Sequence, residues 1–320
     1  MHVLIIGGTR FVGRHIVEEL LAQGHRVSVL NRGVSPDPLP DEVVRLRADR
    51  TKPEEVRAAL DGQSFDAVVD CIGYAGEEIE VAIDIFGGRI ERYVYISSVS
   101  VYQPSELLPL DETWPLQDES GWEYAMGKVE CERALQAAGE ESGFPWVSLR
   151  PAYIYGPYNN NPNAEFIFFA RVEQGRKVLV PGDGRFIFHH THGRDLAHAT
   201  LAALTRDEAV GHAYNITGAY AQTANRFVRA VGEAMDRELE IVHAPGMTRR
   251  GDAGRFFFYQ TRPTQVYSIE RARRDLAWEP RYDIVDGLRD SYRWYTEVGY
   301  AADHPFDFSY DDEVLATLGE

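Results

Sequence analysis

The first thirteen residues constrain the fold more than any other stretch. Val3-Leu4-Ile5-Ile6 is a continuous apolar run, and Gly7-Gly8-Thr9-Arg10-Phe11-Val12-Gly13 follows it at once. Phe11-Val12, Ile16-Val17 and Leu20-Leu21 then recur at helical spacing until Gly24. A buried strand that turns on glycines straight into a helix opens a βαβ unit. Glycines there let the backbone turn tightly and approach a pyrophosphate, which the free N–H groups and positive dipole of the helix N-terminus favour. Gly7, Thr9, Arg10, Phe11, Val12 and Gly13 are therefore the expected dinucleotide contacts, with Arg10 standing where the middle glycine of the usual spacing falls.

The alternation continues. Val27–Leu30, Val43–Leu46, Ala67-Val68-Val69, Tyr93–Ile96 and Trp146–Leu149 read as further strands, with helices from Pro53 and from about Trp122 to Ala138. Continuous apolar strands separated by helices imply a parallel sheet covered on both faces. The expected fold is α/β, a doubly wound Rossmann-type sheet over residues 1–158. After Pro157 the texture becomes irregular, with helices at Phe166–Glu173, Phe227–Met235 and Ile284–Val298. Residues 159–320 read as a smaller C-terminal substrate lobe, with segments near 193–217 returning to the main domain. The aromatic run Phe256-Phe257-Phe258-Tyr259 reads as lobe core or pocket wall.

The formal charge is -17, which opposes approach to phosphate backbones and argues against a nucleic-acid partner. No apolar run reaches the roughly 20 residues of a membrane span. The N-terminus lacks a basic leader, and Cys71 and Cys131 suggest neither a disulfide framework nor a zinc site, so a cytoplasmic protein without a metal is expected. His189, His190 and His192 could bring only two imidazoles to one strand face, and histidines lining a lobe interface are the better reading than a metal site.

At the end of the second strand, an acidic residue would bind the adenosine ribose of NAD. Asn31-Arg32 stands there instead, and an arginine can pair with a phosphate, which leans the choice between NAD and NADP toward NADP. Asp49 is positioned to meet the adenine or to cap a turn. Tyr124 and Lys128 lie i, i+4 on one helix face. An ammonium favours the phenolate of a nearby tyrosine, whose ordinary pKa of about 10 makes it a poor base. Such a tyrosine takes a proton from a substrate hydroxyl while a hydride leaves the same carbon. Ser98, after the fifth strand, could hold the substrate oxygen.

With these motifs the chain resembles the extended short-chain dehydrogenases/reductases, which include nucleotide-sugar epimerases and dehydratases. The resemblance rests on Gly7 to Gly13, Ser97-Ser98-Val99-Ser100-Val101-Tyr102, Tyr124-Ala125-Met126-Gly127-Lys128, Arg150-Pro151-Ala152-Tyr153-Ile154-Tyr155-Gly156-Pro157 and Ala272–Pro280. It implies that Tyr124 is the general base and acid, that Lys128 binds the nicotinamide ribose, that Ser98 orients substrate and that Pro151 backs the nicotinamide. It also implies a homodimer and a sugar or sugar-nucleotide substrate, for which Tyr153, Asn159 and His190 are candidate contacts. The Gly-Gly-Thr-Arg-Phe turn resembles an atypical branch that includes chloroplast RNA-binding relatives, so a non-catalytic dinucleotide- or RNA-binding protein is the competing reading. Phe188 stands where many nucleotide-sugar enzymes carry an arginine for the diphosphate. Val99-Ser100 replaces the acidic pair of the dehydratases, which favours an epimerase or a reductase/dehydrogenase.

Overall fold

The computed structural model describes residues 1–247, 256–261 and 265–319. The central sheet takes β1 (His2–Ile6), β2 (Arg26–Asn31), β3 (Val44–Arg47), β4 (Ala67–Asp70), β5 (Arg92–Ile96) and β6 (Trp146–Pro151). β7 (Tyr153–Tyr155), β8 (Val178–Pro181), β9 (Ile187–Phe188) and β10 (His190–His192) leave it for the second lobe, and β11 (His212–Ile216) returns. β12 (Gln222–Thr223) and β13 (Ile241–Ala244) complete the strands of the described residues. The order is β11-β6-β5-β4-β1-β2-β3, seven strands with every neighbouring pair parallel. The order reverses between β1 and β4, the switch point outside whose carboxyl ends such sheets bind ligands.

The apolar strands divide by parity, as a period of two requires. Val3 and Ile5 face one layer with α1 (Phe11–Ala22), whereas Leu4 and Ile6 face the other. That other layer is built from α2 (Pro53–Leu60), α3 (Gly76–Phe86) and α4 (Glu123–Ser142). Each fully buried aliphatic side chain in these layers stabilises the fold by about 1.5–3 kcal/mol. Several bounds differ from the sequence reading, and one helix is added. β3 lies one residue later than expected, which puts Arg47 at its end. α4 runs on to Ser142, where Gly143 at φ 70 stops it. α3 is unmarked in that reading because Gly76-Glu77-Glu78 is polar. Its start is held by the Glu78 carboxylate, which accepts from Tyr74 N at 2.7 Å and Ala75 N at 3.3 Å.

The second lobe packs α5 (Phe166–Glu173), α7 (Ala224–Met235) and α9 (Ile284–Glu297) around Phe166, Phe168, Phe227, Phe256, Phe257 and Tyr259. The lobe's last helices are α10 (Tyr300–Asp303) and α11 (Ser309–Leu318). Residues 193–217 form α6 (Gly193–Thr205) and β11, which join the main domain. So does α8 (Glu270–Leu276), a return the sequence reading does not include: Ile269, Ala272, Leu276 and Trp278 are buried in the same layer as α1 and α6. The lobes are tied where His15 of α1 meets Pro157 O through Nε2 at 2.9 Å, and where Arg14 lies 3.6 Å from the centre of the Tyr158 ring.

Candidate functional site

The turn after β1 has the geometry a pyrophosphate needs. Gly7 and Gly8 take φ values of 104° and 95°, where a side chain is strained. A Cβ on Gly13 would lie 2.5 Å from Gly8 N, so only glycine lets α1 start this close to the turn. α1 has no side-chain cap and no acidic residue in its first turn, which leaves its N-terminal N–H groups and dipole for an anion. Gly7 to Gly13, Asn31, Arg32, Asp49 and Asn160 line one groove of about 560 Å³, of the size that holds a cofactor. Cys71, Ile72 and Tyr74 carry it on past the end of β4. These residues fit a dinucleotide. Asp49 spends Oδ1 on Thr51, accepting from its N at 3.1 Å and its hydroxyl at 2.8 Å, so it both lines the groove and caps a turn.

Lys128 is 2 % exposed. Its Nζ donates to Gly73 O at 2.9 Å and Ile96 O at 2.8 Å, the backbone after β4 and at the end of β5. The sequence permits this because a Cβ on Gly127 would stand 2.0 Å from Tyr74 O; glycine alone lets α4 lie against that loop. The ammonium sits 4.7 Å from the Tyr95 ring centre, 4.8 Å from that of Tyr74 and 5.9 Å from that of Tyr124. Burial pulls its pKa down to about 8, leaving it mainly charged at neutral pH. Tyr124 is 37 % exposed, with its ring 5.3 Å from Trp122 and 6.2 Å from Tyr74.

Ser98 is buried, and its Oγ accepts from Ser100 N at 3.2 Å at the head of the short turn Val99–Val101. Beneath it lies a network that the sequence reading misses. The Ser97 hydroxyl donates to Glu132 Oε1 at 2.5 Å, Ser148 donates to the same oxygen at 2.9 Å, and Arg150 Nε lies 3.0 and 3.1 Å from the two carboxylate oxygens. Burial alone would raise the Glu132 pKa, but the guanidinium and the two hydroxyls outweigh it and hold the carboxyl below its usual range. Arg150 also donates to Tyr102 OH at 2.9 Å, and Tyr102 donates to Asn215 Oδ1 at 2.6 Å. The ends of β5, β6 and β11 are thereby locked together. Nothing local in the sequence pairs residues 132 and 150; only the sheet register does.

Pro151 ends β6, and a small cavity follows it, lined by Val99, Ala152, Tyr153, Phe188, His189, Tyr259, Gln265 and Tyr267. Phe188 stacks on Tyr259 at 14° and 5.3 Å, so an aromatic wall stands where the resemblance implies an arginine. Strand alternation divides the histidines. His189 takes this cavity, with Nδ1 accepting from Tyr267 N at 3.2 Å. His190 instead stacks on Phe227 at 5.0 Å, meets Gln222 through Nδ1 and lines a second cavity with Tyr155, His192 and Tyr282. His189 thus lines the cavity beside Val99 and Ala152, while His190 packs on two of its walls, 4.5 Å from the Tyr259 ring centre and 6.3 Å from that of Tyr153, and itself lines the second cavity. Among the described residues no group of three or more His, Cys, Asp or Glu is placed to hold a metal, and no helix is long and apolar enough to cross a membrane.

Asn159 has both amide ends engaged, Nδ2 donating to Glu165 Oε2 at 2.8 Å and Oδ1 accepting from Asn161 N at 3.0 Å. It anchors the loop whose next residue, Asn160, lines the dinucleotide groove. Glu165 also accepts from Gly156 N at 2.8 Å and the Ser291 hydroxyl at 3.0 Å. Burial pushes its carboxyl from 4.5 up to about 7. A raised carboxyl pKa contributes stability that is full below the unfolded value and is lost as pH rises through the folded one. Burial holds His15 and His189 at about 4, and these contribute in the opposite sense below pH 6.5, so the informative quantity is a difference. The stability of wild type minus that of Glu165→Gln should fall by up to about 3 kcal/mol between pH 5 and pH 8. Urea unfolding of both proteins at the two pH values measures this; an equal difference at both would show that Glu165 does not titrate in the window.

A doubly wound sheet, a glycine turn at its switch point and a Tyr/Lys pair on the helix beside it define the class of Rossmann-type dinucleotide enzymes. The chain belongs to the NAD dependent epimerase/dehydratase family, whose model matches residues 3–86 and 78–217. Its class is that of the epimerases and dehydrogenases. It is 35% identical to the chloroplast stem-loop binding protein of 41 kDa b of Arabidopsis thaliana, over 98% of this chain and 84% of that protein. It is 25% identical to a 3-beta-hydroxysteroid dehydrogenase of Mycolicibacterium neoaurum, over 92% of each chain. Among solved structures it resembles UDP-glucose 4-epimerase of Thermus thermophilus in complex with NAD, with a TM-score of 0.75, 25% identity and coverage of 92% of this chain and 99% of that one.

Proposed function

We propose that this chain is a cytoplasmic, homodimeric oxidoreductase/epimerase that prefers NADP and acts on a hydroxyl or keto carbon of a sugar or sugar-nucleotide-like substrate. Ser98, Tyr124 and Lys128 are its reacting set. The observation that carries the reading is the buried Lys128 ammonium, fixed by two backbone carbonyls one helical turn from Tyr124. An ammonium has three donors, and two are spent, so the third is left for a ribose hydroxyl of the cofactor. Its charge stabilises the Tyr124 phenolate, and Tyr124 Oη then accepts a proton from the substrate hydroxyl or returns one. Ser98 Oγ orients the substrate oxygen. A bound nicotinamide supplies the acceptor or donor of the hydride. Val99 and Ser100 are buried in the turn after Ser98 and offer no carboxylate for dehydration. The preference for NADP is supported by Asn31 and Arg32 at the end of β2, with Arg10 beside them in the groove.

The test is turnover of free and nucleotide-linked keto-sugars with deuterium-labelled NADPH and NADH, and of carbon-deuterated hydroxy-sugars with NADP+ and NAD+, followed by mass spectrometry. Label transferred between cofactor and sugar, or epimerised sugar with retained cofactor, is the expected result. One observation favours a second reading, a binding protein on the same fold: the 35% identical relative is named for stem-loop binding. Tight RNA binding at physiological salt with no turnover across the panel would establish it. The charge of -17 and the buried Lys128 weigh against it.

A further inference from the structure

We infer that Arg47 decides which dinucleotide this chain takes, by holding Asn31 so that its amide at the end of β2 offers no free acceptor. The inference rests on the NADP reading above and assigns it to a residue outside the turn and outside β2.

Asn31 is the last residue of β2 and lines the groove. Its Oδ1 accepts from Gly33 N at 2.8 Å and from the Arg47 guanidinium. A backbone N–H and a guanidinium can only donate, so the amide oxygen faces them and the orientation of the amide is settled by chemistry. Nδ2 is buried and, among the described residues, has no hydrogen-bond partner. Gly33, at φ 71, makes the room for this: a Cβ there would stand 3.0 Å from Arg47 Nε and 3.3 Å from its Cζ. Asp37 gives Arg47 its second anchor at 3.3 Å. Asp37 is itself held by Arg45, whose Nε lies 3.2 Å away and whose guanidinium also donates to Leu39 O and Pro40 O. The segment from Gly33 to Val43 is thus a brace that keeps one guanidinium over one amide.

The electrostatic consequence follows. Arg10 and Arg32 are exposed and line the same groove. Asp49, a carboxylate of the groove wall within electrostatic reach of Arg32, has Oδ1 committed to Thr51. A ribose 2′-hydroxyl needs an acceptor for its proton, which a carboxylate in place of Asn31 would offer. A 2′-phosphate brings only acceptor oxygens and about two negative charges, which suits the guanidinium donors of Arg10 and Arg32. Arg47 contributes charge, but its particular role is positional. Without it, Asn31 Oδ1 loses one of its two donors and becomes free to accept from a ribose hydroxyl.

The experiment is the dissociation constant of NADP and of NAD, by calorimetry, for wild type, Arg47→Leu, Arg47→Lys and Asn31→Asp. Arg47→Leu is expected to move the NADP-to-NAD preference toward NAD by about tenfold or more, one such step being 1.4 kcal/mol, with an absolute gain in NAD affinity. Asn31→Asp should move it further in the same direction, and Arg47→Lys should keep most of the wild-type preference. The gain for NAD is the decisive readout. Loss of charge alone would weaken NADP and leave NAD unchanged, and structural damage would weaken both together; either result overturns the role through Asn31. A wild type that binds NAD more tightly overturns the NADP reading alone. The inference about Arg47 then stands or falls on whether Arg47→Leu still strengthens NAD.

Discussion

Replacing Tyr124 by Phe should lower kcat by about 10²–10⁴-fold while the Kd of the dinucleotide stays nearly constant. The substitution removes one hydroxyl and keeps the ring, with its neighbours Trp122 and Tyr74. Tyr124 is partly exposed on the first turn of α4, so the fold should tolerate the change. Lys128 remains held by Gly73 O and Ile96 O, contacts that do not involve the phenol. Cofactor binding and proton transfer therefore separate in this variant, and single-turnover kinetics with a fluorescence titration reads both. Unchanged turnover would remove Tyr124 from the chemistry. A parallel loss of cofactor affinity would make it a binding residue instead.

Glu132→Ala should destabilise the protein by about 3–5 kcal/mol, the usual cost of leaving one partner of a buried ion pair behind. Arg150 would keep Tyr102 OH at 2.9 Å but lose the carboxylate that neutralises it in the interior. Ser97 and Ser148 would lose their common acceptor at the same time. Glu132→Gln keeps volume and one acceptor oxygen and should also be destabilising, because the guanidinium charge is still uncompensated. Guanidinium chloride unfolding reads the effect directly. A cost below about 1 kcal/mol for the Ala variant would mean that water or rearrangement satisfies Arg150, contrary to a locked network. Ser97 precedes Ser98, so the proposed function adds an expectation for kcat. The Gln variant should turn over more slowly even at temperatures where it is fully folded.

Local sequence signals read well wherever one element decides the outcome. The run Val3 to Ile6 became a buried strand, and its alternate residues went to opposite layers as a pleat demands. The apolar spacing placed α5 at the bounds Phe166–Glu173. The i, i+4 spacing of Tyr124 and Lys128 put the ammonium 5.9 Å from the phenol ring centre, since helix geometry alone fixes that neighbourhood. Gly127 carried a signal that is readable only afterwards. A glycine inside a helix is disfavoured without a packing reason, and here the reason is Tyr74 O, which a Cβ would meet at 2.0 Å.

What the amino-acid order determined by itself is therefore the layered α/β fold, the glycine turn and the face shared by Tyr124 and Lys128. Each follows from periodicity or from the φ range of a few glycines. Tertiary structure decided the rest. It set His189 on the cavity beside Ala152 and His190 with His192 on the second one, because a strand has two faces and the sequence cannot say which one meets which cavity. It spent Asn159 on Glu165, paired Glu132 with Arg150, and laid Arg47 across Asn31. These contacts join residues 6, 18 and 16 positions apart, and the reach of Lys128 to Gly73 spans 55. All but the Asn159–Glu165 contact are set by sheet order and register, which depend on how whole layers bury their apolar faces and not on any local pattern.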